Sequence, residues 1–491
     1  MVFVAPTLST LSARIATLAE SQATIEDSSG KHAVGSVVRS AVALAKSLSE
    51  SGVAAGGRVL LDGPASAAWA RAFFALSALG AIAVPVARVS TRAELEYLAR
   101  DSGATRALVT HEGETAFPPS VETIRAPWAE PPPGLDVALR EAKPGDVALV
   151  LYTSGTTGAP KGALITQKNL ATQTAILEEA WGLVPSDVLL HALPMHHLHG
   201  IVVAFLSSLF AGASVIALPK FDAEAMLDGA KRATVMMAVP TMYTRMLEAF
   251  DRAPEEKQKE WSTSLRGLRL LTSGSAALPV SLAERLRSIA GVLPLERYGM
   301  TEIGMALSNP LDPGGRREGR VGAPLPSVEV RIVDDTGKGC DGPGELWVRG
   351  PSVFAGYHGR DEATRDSFRD GWFLTGDVAE RNASGSIRLL GRSSVDILKS
   401  GGEKVSAIEV EEVVREHPSV ADAAVVGVPD ETWGDRVVAF VIVKPGVATD
   451  DASLRAFAKE RLAPYKVPKE FRFVEAFPRN AMGKVQKRLL V

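Results

Sequence analysis

Several groups of residues in this chain of 491 have types and spacings that chemistry could use. The first is the run Tyr152-Thr153-Ser154-Gly155-Thr156-Thr157-Gly158-Ala159-Pro160-Lys161-Gly162. Glycines let backbone N–H groups turn toward one point, hydroxyls add donors, and Lys161 adds a cation. That combination makes an anion cradle, suited to the phosphates of a nucleoside triphosphate. A Gly/Ser/Thr cluster alone is usually a surface turn. This one follows Val147-Ala148-Leu149-Val150-Leu151, which has the pattern of a buried strand, and the phosphate reading is preferred. It is not the common P-loop, because Lys161 lies between Pro160 and Gly162 rather than between Gly and Ser/Thr.

A second group is Asp377 and Arg392. Residues 377–392 read as strand, turn (Asn382-Ala383-Ser384-Gly385) and strand, a hairpin signature. The turn falls near the midpoint, so folding brings the carboxylate and the guanidinium together. Side by side, one accepts and one donates hydrogen bonds, which suits a ribose diol. The plainer alternative is a cross-strand salt bridge, worth only about 0–1 kcal/mol on a surface. A third group is Thr272-Ser273-Gly274-Ser275-Ala276, placed after the strand-like Leu268 to Leu271. Small residues at the carboxyl end of a strand let a flat ring lie against backbone. His196, His197 and His199 crowd one stretch, but zinc sites need further ligands at defined spacing and none is evident nearby.

These groups need elements to hold them. The length implies two or more domains. Up to residue 145, helical periodicity (Val38, Ala41, Val42, Ala45, Leu48) alternates with short apolar strands (Val59-Leu60-Leu61, Ala81 to Val86), the mark of parallel βαβ units. Pro-rich segments at Pro118-Pro119 and Pro131-Pro132-Pro133 read as exposed linkers. After the glycine-rich run we expect a helix. Residues 251–266, rich in Glu, Lys and Gln, read as a solvated excursion. Residues 200–219 carry no charge, yet Ser207-Ser208 and Ala211-Gly212-Ala213 divide them, so a buried helix (about 201–210), a turn and a strand (about 214–218) are expected rather than a membrane span. Ser406-Ala407-Ile408-Glu409 is a capping box opening a helix. A small α+β domain follows, with a further helix near 452–462. The net charge of −3 gives no argument for nucleic acid. One cysteine, Cys340, excludes an intramolecular disulfide and fits a reducing compartment, and no secretory signal is apparent, so a cytoplasmic location is expected.

Taken in order, the strings resemble the motifs of the adenylate-forming superfamily, which includes acyl-CoA synthetases, luciferases and adenylation domains. The resemblance covers nearly the whole chain. It implies an α/β fold: a large N-terminal domain (1–395) of doubly wound βαβ subdomains with an added β-rich region, and a small mobile α+β C-terminal domain (396–491). It implies ATP, Mg²⁺ and coenzyme A. On it, Thr153, Ser154, Gly155, Thr156, Thr157, Gly158 and Lys161 hold phosphates, and Ser273, Gly274, Ser275 and Ala276 receive the adenine. Tyr298-Gly299-Met300-Thr301-Glu302 resembles the Tyr-Gly-x-Thr-Glu motif. Tyr298 then packs on adenine, Thr301 contacts phosphate and Glu302 holds Mg²⁺, which favours one or two carboxylates plus phosphate oxygens. Asp377 and Arg392 take the ribose. Asp396 resembles the hinge residue, although three residues separate it from Arg392 where the superfamily usually has two. Lys484, in Pro478-Arg479-Asn480-Ala481-Met482-Gly483-Lys484, resembles the lysine that reaches the acyl carboxylate and α-phosphate. Residues 459–491 hold nine Lys/Arg against three Asp/Glu, and the other basic side chains could receive the phosphates of coenzyme A. With seven residues after Lys484, free coenzyme A rather than a fused carrier domain is expected as acceptor.

The acid is read from Arg297. The position before Tyr-Gly is small in many superfamily members, and a pocket-lining arginine would be left unpaired by a monocarboxylic acid. The reading is therefore a dicarboxylate; the plainer alternative is a local pair with Glu296. Residues 296–306 and 404–411 resemble malonyl-CoA synthetases, so malonate is the expected small carboxylic acid, with methylmalonate as an alternative. Arg245 is a second candidate for the distal carboxylate, and His196, His199 and Met305 are placed on the pocket wall. The competing readings are a ligase for a short- or medium-chain or aryl monocarboxylic acid, and an adenylation enzyme that loads a separate carrier.

Overall fold

The computed structural model describes residues 9–113, 115–134, 139–153, 159–401, 403–430, 432–479 and 485–491. Two α/β sheets carry the bulk of the chain. In the first, strands lie in the order Glu122–Arg125, Arg106–Val109, Arg58–Asp62, Ile82–Pro85, Val147–Thr153 and Lys161–Thr166. All run parallel except the last, which turns back antiparallel on its neighbour. Helices Ala67–Leu79 and Arg92–Ser102 cross between the early strands. The second helix starts at a complete Thr91/Glu94 capping box and stops at Gly103, as the sequence chemistry of helix ends requires.

The second sheet has a parallel centre in the order Leu295–Met300, Leu270–Ser273, Val235–Ala238, Val188–His191, Ser214–Ala217 and Thr24–Asp27. Antiparallel strands close both edges. Residues such as Leu189, Leu190, Val235, Met236, Met237, Leu270 and Leu271 are buried in succession, as strands covered on both faces require. One apolar core runs beneath both sheets. The uncharged stretch after His199 is a buried π-helix, His199–Leu206, continued by Ser207–Phe210 and then the strand Ser214–Ala217. Among the described residues no helix is long and apolar enough to cross a membrane.

Three local expectations need correction. The glycine-rich run is followed by the strand Lys161–Thr166, antiparallel to Val147–Thr153, before the helix Gln167–Trp181, so it connects strand to strand rather than strand to helix. Residues 251–266 are not a loose excursion: Glu255–Arg266 is a helix anchored by Trp261 and Leu265, both 3% exposed. Two apolar anchors four residues apart suffice to dock one face while the other stays charged. At Ser406 only half the capping box forms. The serine accepts from Glu409 N at 3.2 Å, but the Glu409 carboxylate receives Lys466 Nζ at 2.7 and 2.8 Å instead.

A β-rich sheet follows, built from Glu329–Val333, Gly344–Arg349, Trp372–Arg381 and Phe368–Arg369, with Ile387–Arg392 paired to the long strand. The remaining residues form a smaller sheet of Glu403–Ser406, Ile397–Ser400, Gly434–Val443, Val420–Asp430 and Glu470–Phe473, with helices Ala407–Arg415 and Asp451–Arg461 on it. Its core, from Leu398 to Phe471, is separate from the large one. The architecture is α/β, with a large N-terminal domain and a small C-terminal one.

Candidate active site

Ser154, Gly155, Thr156, Thr157 and Gly158, expected to hold phosphates, lie outside the described residues, as does Lys484. The base of their hairpin is described, and it is firmly held. Thr153 and Lys161 are register partners. Tyr97 donates its hydroxyl proton to Pro160 O at 2.6 Å, and Tyr152 donates to Asp101 Oδ2 at 2.8 Å. The Lys161 ammonium sits 5.2 Å from the centre of the Tyr357 ring. Tyr357 in turn donates to Glu302 Oε1 at 2.9 Å. Lys161, Tyr357 and Glu302 thus form one chain of contacts between hairpin and second sheet. Burial raises the Glu302 carboxyl above its ordinary range, partly offset by the Tyr357 hydrogen bond. Tyr357 escaped sequence reasoning; the one signal was Gly356, whose φ of 134° shapes the Phe354-Ala355-Gly356-Tyr357 approach to the hairpin.

The expected pair at 377 and 392 is present. Asp377 and Arg392 face each other across antiparallel strands, with Arg392 Nε donating to Asp377 Oδ1 at 2.9 Å. The Tyr298 hydroxyl also donates to Asp377 Oδ2, at 2.6 Å. The Tyr-Gly motif and the β-rich hairpin, far apart in sequence, therefore meet at one carboxylate. Thr301 is half-buried in the turn after Tyr298. Ser273 ends a central strand, fully buried, and Ser275 and Ala276 are exposed just beyond it. Ser275 has a φ of 68°, a left-handed conformation that few non-glycine residues adopt outside functional turns.

Arg297 departs most from its plain reading. In a strand, neighbouring side chains point to opposite faces, so Glu296 cannot be its partner. Glu296 instead accepts from Gly319 N at 3.2 Å, and burial pushes its carboxyl up to about 8. The Arg297 guanidinium is 2% exposed and has no carboxylate partner among the described residues. Nη2 donates to His199 Nε2 at 2.5 Å, while Nε and Nη1 have no hydrogen-bond partner among the described residues. Burial pushes this group down to about 9, which leaves it charged at neutral pH. Because His199 Nε2 accepts, its proton must sit on Nδ1, which lies 3.2 Å from Ser275 Oγ. Gly274 makes room for all this: a Cβ there would come within 1.9 Å of Arg297 Nη1.

The other expected pocket residues divide. Met305 is buried against Gly299, and its backbone N–H donates to Gln173 Oε1 at 2.7 Å. The His196 ring is tilted 49° against that of His197, with ring centres 4.0 Å apart, and burial depresses its pKa to about 3. Arg245 is exposed on the helix Pro240–Arg252, with no ion-pair partner among the described residues, and the structure does not bring it to Arg297. Asp396 lies between the strands Ile387–Arg392 and Ile397–Ser400. A surface groove of about 790 Å³ around Arg331, Arg349 and Trp372 shares no residue with this constellation.

Comparison with known proteins agrees with this geometry. The AMP-binding enzyme profile matches residues 16–358 and that of the AMP-binding enzyme C-terminal domain matches 409–484. The chain belongs to the AMP-binding enzyme family. Within it, the chain is 40% identical over 454 residues to the mitochondrial malonate–CoA ligase of Homo sapiens, covering 84% of this chain and 78% of that one. It is 38% identical over 451 residues to the malonate–CoA ligase of Arabidopsis thaliana, covering 84% and 74%. Among solved family structures, ATP-bound MatB from Rhodopseudomonas palustris superposes with a TM-score of 0.88 at 35% identity, covering 99% and 98% of the two chains. A malonyl-CoA ligase ternary product complex with methylmalonyl-CoA and AMP gives 0.69 at 36% identity, covering 94% and 97%.

Proposed function

We propose that this family member is an AMP-forming acid–CoA ligase that converts malonate to its coenzyme A thioester, with methylmalonate as an alternative acid. The observation that carries the choice of acid is the buried Arg297 guanidinium with two unused donors. An unpaired charge in such a place is costly, and a carboxylate supplied by the substrate is its natural complement. A monocarboxylic acid offers none once its own carboxylate is at the reacting phosphorus.

The reaction runs in two steps. One malonate carboxylate attacks the α-phosphorus of ATP and pyrophosphate leaves, giving malonyl-adenylate. The coenzyme A thiol then attacks the acyl carbon and AMP leaves, the thiol proton passing to solvent or base. Asp377 and Arg392 are proposed to hold the ribose, with Tyr298 and residues 273–276 around the adenine. The 153–161 hairpin is proposed to grip the phosphates, with Thr301 against them. Lys484 is assigned to the α-phosphate oxygens, where charge develops. Mg²⁺ fits the oxygen chemistry of Glu302, whose carboxylate would hold it beside phosphate oxygens while it neutralises their charge. Arg297, supported by His199 and walled by Met305, is proposed to hold the distal carboxylate, with His196 at the rim. The unit boundary is placed at 395/396, with the small domain swinging about Asp396. Cys340 as sole cysteine keeps the reading of a reducing, cytoplasmic compartment, which fractionation would test against the mitochondrial location of the human relative.

Product analysis tests this directly. Incubation with ATP, Mg²⁺, malonate and coenzyme A is expected to yield malonyl-CoA, AMP and pyrophosphate in equal amounts. ADP and phosphate, or no thioester on free coenzyme A, would overturn the proposal.

A further inference from the structure

One buried cation belongs to no part of the site described so far. Lys487 Nζ lies 2.6 Å from Asp396 Oδ1 and 2.6 Å from Glu411 Oε1, and all three side chains are about a tenth exposed or less. Glu411 is already served in the small domain: it pairs with Arg415 and accepts from Val425 N at 2.8 Å. Lys487 therefore bridges Glu411 and Asp396. The Asp396 carboxylate also accepts from the backbone N–H of Arg392 through Oδ2 at 3.1 Å, next to the Asp377–Arg392 pair proposed to hold the ribose. The Asp396 backbone is fixed on both sides: its N–H donates to Arg392 O, and its carbonyl accepts from Ala407 N, each at 2.7 Å. Lys487 stands three residues after Lys484 in the chain. It ties the C-terminal residues 485–491 to the joint between the two domains.

We infer that Lys487 is a positioning residue that holds the small domain in its adenylate-forming orientation through Asp396. This rests on reading Asp396 as the hinge. The orientation is supported by the better superposition on the ATP-bound relative than on the product complex. Further cross-domain contacts belong to the same arrangement, Arg388 Nη2 with Glu412 Oε2 at 3.3 Å and Lys404 with Asp335. A purely structural ion pair would need Glu411 alone; the contact with Asp396 couples the C-terminal segment to the hinge.

The test measures the two half-reactions separately and the domain orientation directly. Lys487→Met is expected to lower malonyl-adenylate formation about tenfold, while thioester formation from supplied malonyl-adenylate stays within about threefold of wild type. Lys487→Arg keeps the charge and is expected to restore most of the first step. Spin labels on the native Cys340 and on Lys459→Cys report the distance between domains. With a non-hydrolysable ATP analogue, wild type is expected to show one distance, and Lys487→Met a second one that wild type shows with AMP and coenzyme A. If both half-reactions fall alike, or the Lys487→Met distances match wild type, the clamp is refuted while the hinge stands. A single distance in wild type under every ligand would refute the hinge itself, and the clamp with it.

Discussion

Replacing Arg297 by Met keeps an unbranched apolar stem and removes the charged guanidinium. In the free enzyme the guanidinium is buried with one hydrogen bond, to a neutral histidine, and two donors unused. The substrate's distal carboxylate completes a pair that the protein leaves open. Breaking such a pair by removing one partner costs about 3–5 kcal/mol, roughly a hundred- to several-thousand-fold in kcat/KM for malonate. The distal carboxylate does not react, so the loss should fall mainly on KM. Butyrate, which leaves Arg297 unpaired in the wild type, should gain or hold steady, narrowing the preference for malonate. The unliganded variant should also unfold at higher denaturant, because a desolvated charge without a counter-ion has gone. Pyrophosphate release with both acids, and a denaturant titration of the free protein, measure all three effects. An equal fall for malonate and butyrate, or a free variant less stable than wild type, would refute the reasoning.

Lys484→Ala should abolish adenylate formation but still pass supplied malonyl-adenylate to coenzyme A; equal loss of both steps would contradict the division of labour. Gly274→Ala introduces a Cβ 1.9 Å from Arg297 Nη1, and should raise the KM for malonate at least about tenfold by displacing the guanidinium, read by initial rates. Burial holds His191 and His197 at about 4 and His196 at about 3, all below the ordinary 6.5. These folded values are depressed, so the unfolded chain takes up protons first as pH falls. Their contribution to stability is full above about pH 6.5 and declines toward pH 4, by up to about 1.4 kcal/mol per pH unit per histidine. Denaturant unfolding between about pH 7 and about pH 5.5 should show that decline, and a flat profile would count against it.

The parts of the site that local chemistry specifies could be read from the chain. The hairpin at 382–385 sets the register that brings Asp377 to Arg392, and a charged Arg297 before Tyr-Gly announces an anion. What could not be read depends on contacts between distant segments. His199 reaches Arg297 across 98 positions, and Tyr357 reaches Glu302 across 55. No local pattern links those partners. The strand Lys161–Thr166 was hidden because its start overlaps the glycine-rich run, and the helix Glu255–Arg266 because its charged face outweighs Trp261 and Leu265 in composition. Arg245 shows the reverse failure, since residue type suggested a contact that the structure leaves open to solvent.

The central claim is that a buried, half-satisfied arginine selects an acid with a second carboxylate. Its most direct test is the wild-type rate of coenzyme A thioester formation with malonate, methylmalonate, acetate, butyrate and benzoate under identical conditions. The account predicts that malonate exceeds acetate, butyrate and benzoate by at least about a hundredfold in kcat/KM, with methylmalonate within the one-methyl range of malonate. A wild type that prefers any of the three monocarboxylic acids would contradict it.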